Sequence, residues 1–131
     1  MASKSAGVLE RVSMPLAVEV PGVVVDASAE PMLTPETRPL VSQLLDLLIH
    51  ESDRRRVTWD RIRLRGFVDP EEADRTLVIV QYVRLSVEQA DAFWDSLEAP
   101  LQRWVEGLPE HDSERVRRQI SVRVRSSIGH A

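Results

Sequence analysis

The chain has no cysteine, a single lysine and few aromatic residues, and each shortage closes off a class of chemistry. Without cysteine there is no disulfide, no thiolate nucleophile and no cysteine-bound metal, a composition compatible with a reducing compartment. No apolar run reaches the length needed to cross a bilayer, and the first residues lack the apolar stretch of a secretory signal, so the sequence predicts a soluble, cytoplasmic protein that does not engage a membrane. Catalytic signatures are missing as well. His50, His111 and His130 share no ligand spacing with one another, and the acids of the 69–74 segment lack the glycine that a calcium loop needs. His111, Asp112 and Ser113 place three catalytic residue types side by side, but a triad is assembled in space from separated positions, and adjacent residues rarely orient on one reaction centre. Neither cofactor nor metal is expected, and an enzyme of unrecognised type ranks third among the functional readings.

What the sequence has in quantity is arginine, which supplies all but one of its 17 basic residues. Coding preference in a GC-rich genome accounts for that bias simply; a need for planar, bidentate donors is the functional alternative. The formal net charge of -4 hides an asymmetry: residues 1–52 carry three basic groups against seven acids, whereas residues 53–131 carry 14 of each. A sequence pI of about 5.4 excludes general attraction to nucleic acid or membrane surfaces and leaves room only for a local basic patch.

At 131 residues and 43% hydrophobic the chain has the size and composition of one globular domain. Residues 1–15 lack apolar periodicity and are expected to form a disordered tail, as are 129–131, with one domain over 16–128 between them. A β-branched run from Ala17 to Val25, interrupted by the turn signal Pro21-Gly22, is the first strand and the least secure element. A helix follows, starting near Thr34 or Thr37 and carrying an apolar stripe from Leu40 to Ile49. Two strand patterns flank the polar turn 69–74 and read as a hairpin: Ile62 and Leu64 alternate with arginines, and Thr76 to Leu85 is apolar on both faces. Ser86 opens a second helix, with Gln89 placed for a capping box. Val87, Ala90, Trp94, Leu97, Leu101, Trp104 and Leu108 form its expected buried stripe, with Phe93 and Val105 flanking, and Pro100 predicts a kink or break near Ala99. Residues 110–118 are expected to hold at most a helical turn, before a last strand in which Ile120, Val122 and Val124 face inward.

These elements predict an α+β two-layer sandwich, an antiparallel sheet with two helices on one face. The order β-α-β-β-α-β resembles that of the ferredoxin-like fold, which by itself implies no function. Without the first strand the layer would be α-β-β-α-β.

The functional expectation rests on parity. If Ile62, Leu64, Ile120, Val122 and Val124 face the helices, Arg61, Arg63, Arg65, Arg123 and Arg125 share the opposite face, because side chains alternate along a strand. Trp59 and Phe67 have the same parity on paper, and the third strand would add either Tyr82 and Arg84 or Gln81. Such a face has three possible uses: an ordinary solvated surface; an interface with a second copy or an acidic protein partner, making the chain a non-catalytic homo-oligomer or accessory subunit; and a nucleic-acid-binding surface. The last resembles the way RNA-recognition motifs hold single strands on an open sheet, although the fragment Arg65-Gly66-Phe67 lies on the second strand rather than the third. The run Arg54-Arg55-Arg56 is expected to cap the first helix, with a phosphate-binding corner as the alternative.

Overall fold

A computed structural model describes residues 20–68, 70–71 and 75–128. The predicted disordered ends lie outside these residues, as do positions 17–19 of the first predicted strand and positions 69 and 72–74 of the predicted hairpin turn. In chain order the elements are β1 (Val23–Val25), a short 3-10 turn (Glu30–Met32), α1 (Arg38–Arg54), β2 (Trp59–Val68), β3 (Arg75–Val83), α2 (Val87–Glu106), α3 (Glu110–Gln119) and β4 (Ile120–Ser126).

Pro21-Gly22 forms the turn that opens β1. Val23 N donates to Val20 O (3.1 Å), and Gly22 takes a positive φ of 87°, the pattern of a type II turn. α1 begins at the later of its two candidate starts, with Thr37 as N-cap and Pro39 in the first turn. It ends in a Schellman motif: Val57 N donates to Ser52 O and Arg56 N to Asp53 O, with Arg56 in the left-handed region at φ 59°. α2 opens with the complete capping box of Ser86 and Gln89 and continues through Pro100 to Glu106, so of the expected kink or break the break does not occur. The 110–118 segment is a ten-residue helix rather than a single turn, with Glu110 and Asp112 in its first turn and Arg117 and Arg118 in its last, as the helix dipole favours.

The α+β class, with a helix layer against a four-stranded sheet, is present; the antiparallel sheet is not. Strand order is β1-β2-β3-β4, with β1 parallel to β2, β2 antiparallel to β3 and β3 parallel to β4. A ferredoxin-like sheet would interleave the two β-α-β units and place β1 and β3 at its centre; here each strand lies beside its neighbour in sequence and β2 and β3 are central. Alternation within a strand reports which face is buried, and it carries no information about which strand lies alongside. The two parallel pairs run in opposite directions while stepping the same way across the sheet. With the helices on one face, their crossovers therefore have opposite hands, and one departs from the right-handed rule.

One core lies between the sheet and the helices. Leu44, Leu45 and Leu48 of α1 and Phe93 and Leu97 of α2 pack on Ile62, Leu64, Leu77, Ile79 and Val83. Gln81 is fully buried in this layer and donates through Nε2 to Ser52 Oγ of α1 (2.8 Å). α2 is rotated from its expected seat: Phe93 is buried, whereas Val87 is exposed and Trp94, 38% exposed, lies beside Val122 and Val124 at the sheet edge. No helix among the described residues is long and apolar enough to cross a membrane.

Candidate functional site

The sheet register defines the outer face row by row. Val24, Arg63, Val80 and Arg123 are cross-strand neighbours in one row; Arg61, Tyr82 and Arg125 form the next; Arg65, Val78 and Ser121 form a third. All three helices pack on the opposite side, and no described element covers these rows. Val80 is nevertheless only 5% exposed. Its cross-strand neighbours are Arg63 and Arg123, whose long aliphatic stems suit them to shield such a residue while their charged ends reach water. The face is thus a strip of Val78, Val80 and Tyr82 along β3, bounded on one side by Arg61, Arg63 and Arg65 and on the other by Arg123 and Arg125.

The two ridges differ in their electrostatics. Arg63 Nε donates to both carboxylate oxygens of Asp26 (2.9 and 3.2 Å), the residue just after β1, and Arg65 lies 3.8 Å from the same carboxylate. The hydrogen bond to Asp26, and then its charge, hold the Arg63 pKa above the ordinary guanidinium value. Arg61 lies over the Tyr82 ring, 4.2 Å from its centroid, a cation–π contact that occupies the central aromatic of the strip. Among the described residues no carboxylate forms an ion pair with Arg61, Arg123 or Arg125, although the charge of Arg61 acts on the neighbouring Asp60. At the end of the strip Arg84 Nε donates to Asp60 Oδ1 (2.7 Å). Among the described residues six arginines therefore face two carboxylates, Asp26 and Asp60, a formal +4 on a chain whose net charge is -4.

Five of the seven predicted binding residues, the arginines, share this face, and Phe67 stands at its margin, 57% exposed and opposite Thr76. Trp59 does not join them. The register shifts between Trp59, which pairs with Val83, and Arg61, which pairs with Tyr82, so Asp60 is the extra residue of a bulge. That one residue reverses the parity of Trp59, whose ring packs on the core and against Gly22, where an added Cβ would fall 2.8 Å from Cζ3. Of the alternatives on β3, Tyr82 and Arg84 face outward and Gln81 inward. Asp26 was the functional neighbour missed by periodicity, because it sits in a loop whose path over β2 only the fold supplies.

Gly66 in the Arg65-Gly66-Phe67 fragment has a packing role. Its missing Cβ would lie 2.1 Å from Ser28 O, so the loop before the 3-10 turn crosses β2 where only glycine leaves room. Arg54 and Arg55 pair with the buried Glu51 (3.3 and 3.1 Å), which accounts for two of the three arginines at the end of α1. His50 and His111 are exposed, His130 lies outside the described residues, and no group of three or more metal-ligating side chains converges among the described residues. No protein family, no curated protein and no solved structure gives a significant match to this chain.

Proposed function

We propose that this chain is a non-catalytic association module, an accessory subunit that docks an acidic protein surface on the outer face of its sheet. The observation that carries this reading is the +4 face on a -4 chain, with Arg123 and Arg125 free of carboxylate partners among the described residues and Arg61 acting on Asp60 only through its charge. Separated charge of this kind steers an oppositely charged partner and repels like surfaces. A two-fold dimer pairing this face with itself would set arginine against arginine, so the homo-oligomeric form of the reading is disfavoured unless a second copy presents its acidic side. Arginine also suits partial burial better than lysine, because the guanidinium is planar and weakly hydrated.

Nucleic-acid binding is the weaker reading for a geometric reason. A single strand is held on an open sheet by stacking on exposed aromatics, whereas here Tyr82 is covered by Arg61 and the rest of the strip is aliphatic.

The test uses the full chain and an Arg123→Glu/Arg125→Glu variant as baits for nuclease-treated native extract, with chemical cross-links mapped onto the bait. Both substituted side chains are exposed, so the fold is retained. Proteins captured by the wild type, cross-linked at the outer face and lost from the variant support the proposal. Equal capture by both baits overturns it. Capture that disappears on nuclease treatment, together with RNA affinity that falls steeply with salt, replaces it with the nucleic-acid reading.

A further inference from the structure

On the helix side, at one end of the sheet, a cavity of about 360 Å³ opens between the start of β3, the last turns of α3 and the N-terminus of α1. Arg75 of β3 and Arg115 and Arg118 of α3 line it, and among the described residues Glu36 is the one acid in the lining. The arginine face lies on the other side of the sheet, so this is a separate site. We infer that the cavity binds a small phosphorylated molecule, with the phosphate held by Arg75, Arg115 and Arg118.

Three observations converge on that chemistry. First, the guanidinium groups come from elements far apart in sequence. Arg115 and Arg118 are three residues apart and therefore neighbours on α3, while β3 brings in Arg75 from across the fold. Second, Arg115 Nε is fully enclosed and makes no hydrogen bond. A buried donor on a charged group is expensive to leave unsatisfied, so a turn of the Arg115 side chain that brings Nε to an acceptor in the cavity gains what the unliganded protein forgoes. Third, among the described residues three arginines against Glu36 leave a lining of formal +2, which matches the charge of a phosphomonoester near neutral pH, about -1.5 to -2. The guanidinium fork matches phosphate oxygens in a bidentate manner.

The surroundings add to this. Thr37, the N-cap of α1, lines the same cavity, and the first turn of α1 carries no acidic residue, so the positive end of the helix dipole at this site is not offset by a side chain of its own turn. Met32 and Leu77 give part of the lining an apolar character. The volume exceeds that of a lone phosphate and falls at the small end of the range for ligand pockets, which fits a short organic group attached to the phosphate.

The experiment titrates the full chain with inorganic phosphate, glycerol 3-phosphate and malonate at constant ionic strength, by calorimetry and by following arginine Nε–H signals in NMR spectra. Saturable binding of inorganic phosphate and glycerol 3-phosphate is expected, with glycerol 3-phosphate the tighter. The signal absent from Arg115→Gln should shift on binding. Arg118→Gln and Arg75→Gln, both at exposed positions, should fold normally and bind at least tenfold more weakly. Unsaturable binding, affinity unchanged in both exposed variants, or an unmoved Arg115 Nε–H overturns the site. Malonate binding as tightly as phosphate overturns its assignment to a phosphorylated ligand.

Discussion

Arg55 Nη2 donates to Ser96 O across 3.3 Å, and Ser96 O is the carbonyl that Pro100, four residues on, has no N–H to serve. The residue after α1 thus repairs the hydrogen-bond ladder of α2 at its weakest rung, which is how the helix passes through a proline without ending. Arg55 also pairs with Glu51, so a single substitution would mix two effects. A double-mutant cycle separates them: Arg55→Met should be less costly in a Pro100→Ala background, by about 1 kcal/mol, since alanine restores the missing donor. Urea unfolding of the four proteins checks this, and zero coupling would show that water serves the carbonyl instead.

Gly66→Ala should destabilise the protein by about 3 kcal/mol or more, because the new Cβ would fall 2.1 Å from Ser28 O, a backbone atom that cannot rotate away. Gly107→Ala is the control. The nearest atom to its added Cβ lies 3.5 Å away and its φ is -84°, so the effect should be small. A Gly66→Ala protein within about 1 kcal/mol of wild type in urea unfolding would mean that the 26–32 loop does not seat on β2.

Arg56 occupies the position of the Schellman motif where glycine is usual, at φ 59° and with an exposed side chain. Relieving the left-handed conformation should outweigh the greater unfolded-state freedom of glycine, so Arg56→Gly should raise stability by about 1 kcal/mol. Arg56→Ala, which keeps a Cβ, should gain little. A Tm that rises equally in both variants would point to charge rather than backbone strain.

Asp60, the bulge residue, has its carboxyl held below the usual range by the hydroxyl of Ser127 and the guanidinium of Arg84. The Ser127 proton is shared, because Oγ also lies 3.0 Å from Val83 O. A depressed folded-state pKa contributes stability above the unfolded value near 3.8, and that contribution is lost as pH falls through the folded value. Between about pH 5 and about pH 2 the Tm of Asp60→Asn should therefore fall less steeply than that of wild type, with Arg84→Gln showing the same flattening. Parallel acid limbs would show that the pair adds nothing beyond solvent.

Most of the local structure was legible because it depends on local chemistry: the capping box of Ser86 and Gln89, the Pro21-Gly22 turn, and the alternation that sends Arg63 and Arg123 to the same face. Trp59 escaped because one extra residue at Asp60 reverses every side chain before it, and nothing in the composition of the strand marks a bulge. Trp94 escaped for a related reason, since a helical stripe broad enough to include both Phe93 and Trp94 does not say which of them the neighbouring layer will cover. Strand order, the Asp26 contacts and the convergence of Arg75 with Arg115 depend on how distant segments meet, which periodicity does not encode. α3 was underestimated because so charged a segment shows little apolar stripe beyond Val116.

The sequential strand order also bears on how the chain assembles during synthesis. In an interleaved sheet the first strand must wait for the last before its neighbours are complete. Here β1 can pair once β2 follows α1, and β3 can join through a hairpin, so each strand after the first finds its partner already made. Exposed strand edges, the usual hazard of a partly made sheet, are thereby limited to one growing edge at a time, although the shared apolar layer closes only once α2 arrives.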